Sequence, residues 1–453
     1  MSDRTTEKND FIWGVATSSY QIEGAHNIDG RGPSVWDVFS HTGGKVNNND
    51  NGDIACDHYR LWEQDVELMK DLGVNSYRFS IAWPRIFPKG TENIVNQKGL
   101  DFYDRLVDTL LENDIKPFAT LNHWDMPQGL EDIGGWTNRN VVEEFVKYGY
   151  HVSKQLGDRV ADWITHNEPW CISYLGYIEG RKPPGLKNKW AKSLTVAHHL
   201  LVSHGSVIPE IRKNVENAKV GITLNLNTAI PASESIHDRE ACDFYDAQFN
   251  QLFLNPLYNE AYPEILFDEL QRKKLISADD LSFIKDGDLK TISTSTDFLG
   301  VNYYSRAGVR NEEIEEKQNS PTNVEMGPKT DFGWEIHSPG IYDLLMRLHN
   351  DYRVNEMLIT ENGCSYGDSP DEDKRIRDTK RIEYHRSHID QVLNAIDSGV
   401  PCTGYFAWSL MDNFEWAEGY SQRFGLIWVD FETLERIPKD SFHWYKNFIS
   451  SLK

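Results

Sequence analysis

The chain is poor in cysteine. Its five, Cys56, Cys171, Cys242, Cys364 and Cys402, are odd in number, widely scattered and form no CxxC pair. That spacing excludes a disulfide framework and fits free thiols in a reducing compartment. Positive charge is also short, with 47 Lys and Arg against 70 Asp and Glu and a net charge of −23. Such a surface repels nucleic acid and anionic membranes and disfavours phosphorylated substrates at long range. No apolar run is long enough to span a bilayer, and Met1 to Asp10 is polar, without the hydrophobic stretch of a secretory leader. A cytoplasmic location is the expectation. No Walker loop, GxGxxG or HExxH spacing occurs, so no cofactor and no metal are implied. His198, His199 and His204 fall in an apolar helical run and read as packing residues on a barrel helix.

What the chain has in plenty is length and aromatic surface. Its 453 residues are about the size of an α/β barrel with insertions. Aromatic residues make up 12%, including 14 Trp and 20 Tyr, an excess that fits a large core and equally suits stacking on sugar rings. Short apolar, β-compatible runs recur at Phe11–Ser19, Val74–Trp83, Lys116–Trp124, Val160–Pro169, Lys219–Asn227, Asp297–Ser305, Met357–Gly363 and Pro401–Asn413. Helical spacing falls between them. Leu61, Trp62, Val66, Met69 and Leu72 share a face before Gly73, and Leu100, Tyr103, Val107 and Leu110 form another stripe. Ile382, Ile389, Leu393 and Ile396 form a third, and Phe442, Tyr445, Ile449 and Leu452 a closing helix after Pro438. Eight strands alternating with helices predict one (β/α)8 barrel over residues 1–453, with Asn311–Pro328 as a long solvated loop.

In such a barrel, chemistry sits at the C-terminal ends of the strands. Two predicted strands end on a glutamate, in Thr165-His166-Asn167-Glu168-Pro169 and Ile359-Thr360-Glu361-Asn362-Gly363. The other ends supply Gln21, Arg78, His123, Asn302, Tyr304, Trp408 and Glu415-Trp416. Amides, imidazole, carboxylates and flat rings suit a neutral polyol with an apolar face, which is a sugar. Taken singly, Trp408 reads as core, His123 as a satisfied buried histidine and Glu415 as a solvated charge. It is the order of the set that carries the reading.

The segments SSYQIEGA, YRFSIAWPRI, HWDMPQGL, THNEPW, FLGVNYY, LITENG and SLMDNFEWAEGYSQRFGLIWVD follow one another along nearly the whole chain. The sequence closely resembles the β-glucosidases of glycoside hydrolase family 1. That resemblance implies a retaining β-glycosidase with Glu361 as nucleophile and Glu168 as general acid and base. Retaining enzymes hold the two carboxyls about 5–5.5 Å apart. At that range mutual repulsion of about 3 kcal/mol would keep the acid protonated to above about pH 6.

The resemblance further implies that Arg78, Asn302 and Tyr304 support the nucleophile. Glu415 would accept from the 4- and 6-hydroxyls, Gln21 and Trp416 would meet the 3- and 4-hydroxyls, His123 the 3-hydroxyl and Asn167 the 2-hydroxyl. Trp408 would floor the sugar site, with Phe424 beside it. Trp334, Asn225, Trp170 and Leu175 would line the outer, leaving-group subsite. The implied substrate is a small β-glucoside or oligosaccharide, with no nucleic acid or membrane partner and with room for a homo-oligomer.

Three departures fall outside the two carboxylates. Asn122 stands where the family often has Tyr, Lys182 where a histidine often borders the leaving group, and His337-Ser338-Pro339-Gly340 varies the rim. A phosphoglycosidase of the same family would lack an acid at the Glu415 position, and a thioglucosidase would carry Gln in place of Glu168. A binding protein on the same barrel would have lost one or both glutamates.

Overall fold

The computed structural model describes residues 11–311 and 327–452. Eight strands close into a barrel: β1 (Ile12–Ala16), β2 (Ser76–Ser80), β3 (Lys116–Asn122), β4 (Asp162–Asn167), β5 (Lys219–Asn225), β6 (Phe298–Asn302), β7 (Met357–Asn362) and β8 (Cys402–Trp408). Neighbours in sequence are neighbours in space, β8 closes onto β1, and every pairing is parallel. Each predicted strand region holds one barrel strand, but the strands are shorter than the apolar runs. The run Val74–Trp83, for example, stops being a strand at Ser80, and Pro84 then opens a short helix at Trp83–Ile86. Two small pairings outside the barrel, Ala229–Pro231 with Ala307–Val309 and Ile427–Val429 with Arg436–Pro438, had no sequence signal.

Two layers of core hold the fold. The barrel interior is plugged by Ala16, Phe118, Ile164, Phe298, Leu358 and Phe406, and capped by Trp408 and Phe424. The larger layer lies between strands and outer helices. The helix His58–Leu72 ends at Gly73, whose φ of 80° lets its amide reach the carbonyls of Met69 and Lys70. Leu100, Tyr103, Val107 and Leu110 are buried along Gln97–Glu112, as predicted. Phe442, Tyr445 and Ile449 are buried in the closing helix Asp440–Ser451.

The helix Thr379–Asp397 is turned from its predicted face. Ile382, Leu393 and Ile396 are only half-buried, while Arg381, Tyr384, His385 and His388 face inward with Ile389. The polar residues go in because each finds a partner: Arg381 binds Asp378, and His385 the Tyr405 hydroxyl. The helix Trp190–Asn214 does bury His198, His199 and His204, bonded to Tyr262 and Asp288, to the Trp136 carbonyl and to Thr165. The predicted loop Asn311–Pro328 falls almost wholly on residues 312–326, outside the described residues.

Candidate active site

Both glutamates lie where a strand carries one residue too many. β4 has an extra residue between Ile164 and Asn167 relative to β5, and β7 has one just before Glu361 or Asn362 relative to both β6 and β8. Such bulges re-aim the side chains that follow them. Past its bulge, β4 ends in Glu168, held in the left-handed region at φ 49° by its amide bond to the Thr223 carbonyl and by the Pro169 helix start. Trp124 and Trp416 also have positive φ, 75° and 51°. For bulky residues this is strained backbone, which persists only where the surroundings fix it. The Trp124 indole does so by donating to the Asn167 carbonyl. Gly363 lets β7 approach β8, because a Cβ there would lie 1.8 Å from the Trp408 carbonyl oxygen.

The two carboxyls have different partners. Arg78 donates to Glu361 at 2.6 Å, and the Tyr304 hydroxyl donates to its other oxygen at 2.6 Å. Among the described residues Glu168 receives neutral donors only, the Asn302 amide at 2.7 Å and the Cys171 thiol at 3.2 Å. Asn302 was expected beside Glu361. Asn302 pairs in register with Glu361, yet its side-chain amide donates to Glu168, and its oxygen takes the Thr360 hydroxyl. Arg78 also donates to Asn167 at 2.6 Å, tying the two glutamate-bearing strands together.

Burial pushes the Glu361 carboxyl up, with the Glu168 charge adding to it, while Arg78 and Tyr304 pull it down. From the resemblance, repulsion was expected to fall on Glu168, with Arg78 and Tyr304 favouring the charged form of Glu361. In the structure desolvation is the leading influence on Glu361. The cation and phenol on Glu361 favour its anion and oppose the rise that burial imposes.

A cavity of about 380 Å³ opens over the two glutamates. Of the predicted residues, His123, Glu168, Trp170, Leu175, Asn225, Asn302, Tyr304, Trp334, Glu361, Trp408, Glu415, Trp416 and Phe424 line it. His123 is stacked between Trp408 and Trp416, at 5.9 and 6.0 Å. Burial, Arg78 and Lys182 hold its imidazole well below the usual range, so it is neutral. Gln21, Arg78 and Asn167 stand behind the wall. Gln21 spends its amide on Asn413, Phe414 and Glu415, and Asn167 bonds Arg78, Asn302 and His123. Asn122 faces away, onto His166.

Sequence reasoning missed Trp124, Phe332, Tyr245, Phe249 and Arg306 in the wall. Trp124 adjoins His123 in a quoted motif and could have been found. Phe332 and Arg306 sit in loops, and Tyr245 and Phe249 in the consecutive helical segments Ile236–Asp246 and Ala247–Gln251.

The buried titratable groups predict a bell-shaped stability. Burial raises Glu361, Glu415 and Asp125, the last to about 7. A carboxyl raised in the folded state costs nothing below its unfolded value of about 4 and costs more as pH climbs toward the folded one. Burial depresses His123, His166, His198, His199, His204, His385 and His388. A histidine depressed by folding costs nothing above about pH 6.5 and costs more as pH falls. Thermal stability should therefore peak at about pH 6–7, each tenfold change in one proton affinity being worth about 1.4 kcal/mol. Glu415→Gln should flatten the alkaline arm in a thermal scan and leave the acidic arm in place; an unchanged alkaline arm would contradict this.

Paired carboxylates at the C-terminal mouth of a (β/α)8 barrel define a class, the barrel glycoside hydrolases. Within it the chain belongs to glycosyl hydrolase family 1, whose description matches residues 4–453. It is 47% identical to beta-glucosidase A of Acetivibrio thermocellus, over 99% of both chains. It is 46% identical to a 1,4-beta-D-glucan glucohydrolase of Thermotoga neapolitana, over 97% of both. The solved beta-glucosidase of Thermotoga maritima in complex with glucoimidazole superposes with a TM-score of 0.91 at 45% identity, covering 98% of each chain. Among the described residues no helix is long and apolar enough to cross a membrane.

Proposed function

We propose that the protein is a retaining β-glucosidase, releasing terminal β-D-glucosyl residues from aryl and alkyl β-glucosides and from cello-oligosaccharides by double displacement. The observation that carries this is the asymmetry of the two carboxyls: a cation and a phenol on Glu361, neutral donors on Glu168. The Glu361 carboxylate attacks the anomeric carbon while Glu168 gives its proton to the departing oxygen. The C1–O bond to the leaving group breaks and an ester to Glu361 forms. Esterification removes the Glu361 charge, so Glu168 becomes the stronger acid and then serves as base for the incoming water. Water takes C1, Glu361 leaves as carboxylate, and glucose departs with its β-configuration.

In this reading Glu415 accepts the 4- and 6-hydroxyls, His123 and Trp416 meet the 3- and 4-hydroxyls, and Trp408 stacks under the ring. Asn167 stands behind the wall beside Glu168, and comes to the 2-hydroxyl only by giving up part of its contact with His123. Gln21 holds Glu415, and comes to the sugar only by giving up part of that contact. Phe424 backs the floor, and Trp334, Asn225, Trp170 and Leu175 meet the leaving group. β-Fucosides and β-galactosides are further substrates; a relative with 42% identity is a bifunctional beta-D-glucosidase/beta-D-fucosidase. The whole chain acts as one catalytic unit, with no cofactor. Five buried free thiols support a cytoplasmic setting. Glu415 in the wall argues against 6-phosphosugars, since a carboxylate there repels a phosphate. Hydrolysis of an aryl β-glucoside followed by proton NMR tests the reading. The β-anomer of glucose should appear first, and α-glucose as the first product would sink it.

A further inference from the structure

Glu168 caps the helix Pro169–Tyr174, and Cys171 is the third residue of that helix, its amide bonded to the Glu168 carbonyl at 2.9 Å. Helical side chains lean toward the N-terminus. The Cys171 thiol therefore turns back on the glutamate, and its Sγ lies 3.2 Å from Oε2. Both residues line the cavity over the two glutamates. Burial raises the thiol well above its usual range, so the S–H stays in place.

The other carboxyl oxygen of Glu168 faces a fixed donor. Asn302 Nδ2 lies 2.7 Å from Oε1, and the same nitrogen lies 3.1 Å from Asn167 Oδ1. Arg78 can only donate, and at 2.6 Å it makes Asn167 Oδ1 an acceptor. Turned over, the Asn302 amide would set its own oxygen against that acceptor. The Thr360 hydroxyl, 2.7 Å from Asn302 Oδ1, fixes the same orientation. Oε1 is thus held by an N–H that gives and cannot accept, and the carboxyl proton belongs on Oε2. Among the described residues the one hydrogen-bond partner of Oε2 is the Cys171 sulfur. Sulfur gives weakly to an anion and accepts weakly from an acid.

We propose that Oε2 is the oxygen of Glu168 that delivers and receives the proton, and that Cys171 is its positioning residue: the thiol holds Oε2 in both protonation states and binds it too weakly to keep its proton. The inference rests on the glucosidase reading above. In the first step the proton passes from Oε2 to the glycosidic oxygen as the C1–O bond breaks and the ester to Glu361 forms. The S–H then turns onto the anionic Oε2. In the second step Oε2 takes a proton from water as the water oxygen bonds C1 and the ester bond breaks.

Wild type, Cys171→Ala, Cys171→Val and Cys171→Ser are to be compared on aryl β-glucosides from 2,4-dinitrophenyl to phenyl, with kcat/KM as the readout. Alanine and valine leave Oε2 without a partner. They should lose about three- to tenfold on the phenyl glucoside, whose oxygen needs the proton, and less than about twofold on the dinitrophenyl glucoside, whose oxygen departs unaided. Their dependence on leaving-group acidity should therefore be steeper than that of wild type. Serine gives and accepts as the thiol does and should keep the wild-type slope. If alanine and valine keep that slope or lose rate by one factor with every leaving group, or if serine shares their steeper slope, Cys171 is only a packing residue and the proposal is overturned. Absence of turnover in the wild type would instead remove the glucosidase reading itself.

Discussion

Glu361→Gln should lower kcat on an aryl β-glucoside by about 10⁵-fold, or about 7 kcal/mol of barrier, with a well-folded protein. An amide cannot attack the anomeric carbon and leave again as a carboxylate, so both half-reactions fail. Glutamine still offers its oxygen to Arg78, while its NH2 replaces the oxygen that Tyr304 bonded and can donate to the Tyr304 hydroxyl instead. Buried Arg78 therefore keeps an acceptor, and the loss reports chemistry rather than collapse. Sugar binding should survive, because the wall residues His123, Trp408, Glu415 and Trp416 are untouched. The checks are steady-state rates beside calorimetric titration with a neutral glucose-shaped inhibitor. A variant that retained more than about a hundredth of the wild-type rate would contradict the nucleophile assignment.

Glu168→Gln should show a loss that depends on the leaving group. With a poor leaving group such as a phenol or a second glucose, the departing oxygen needs a proton, and about 10²–10⁴-fold in rate should go. With 2,4-dinitrophenol the oxygen departs unaided, so the first step should be nearly normal. The glycosyl-enzyme then waits for water without a base. An added small anion such as azide, which needs no deprotonation, should restore turnover and give the β-glycosyl azide. The structure favours Glu168 for this part because its contacts, Asn302 and Cys171, are uncharged and permit both protonation states. Equal losses on both substrates, with no rescue, would count against an acid and base role.

The sequence revealed the barrel because parallel strands buried on both faces leave continuous apolar runs, and all eight runs contain a strand. It revealed both glutamates because each sits between such a run and a Pro or Gly break. The bulges in β4 and β7 left no mark in the sequence, since an extra residue in a strand keeps the same residue types and changes only the register. Nor did the sequence show that the Asn302 amide bonds Glu168. The inward face of Thr379–Asp397 was missed for a related reason. Polarity says Arg381, His385 and His388 belong outside, and only the partners the fold supplies, Asp378, the Tyr405 hydroxyl and the Tyr384 carbonyl, bring them in. Lys182 could be flagged as unusual, but its place on Trp124 depends on a loop that no periodicity describes.

Trapping the covalent intermediate tests the central claim most directly. Incubation with an activated 2-deoxy-2-fluoro-β-glucoside, followed by digestion and mass spectrometry, should find one fluorosugar on the peptide that carries Glu361, with activity lost in step. A label on any other peptide, or steady hydrolysis with no label under conditions where the unfluorinated glucoside turns over, would contradict the account.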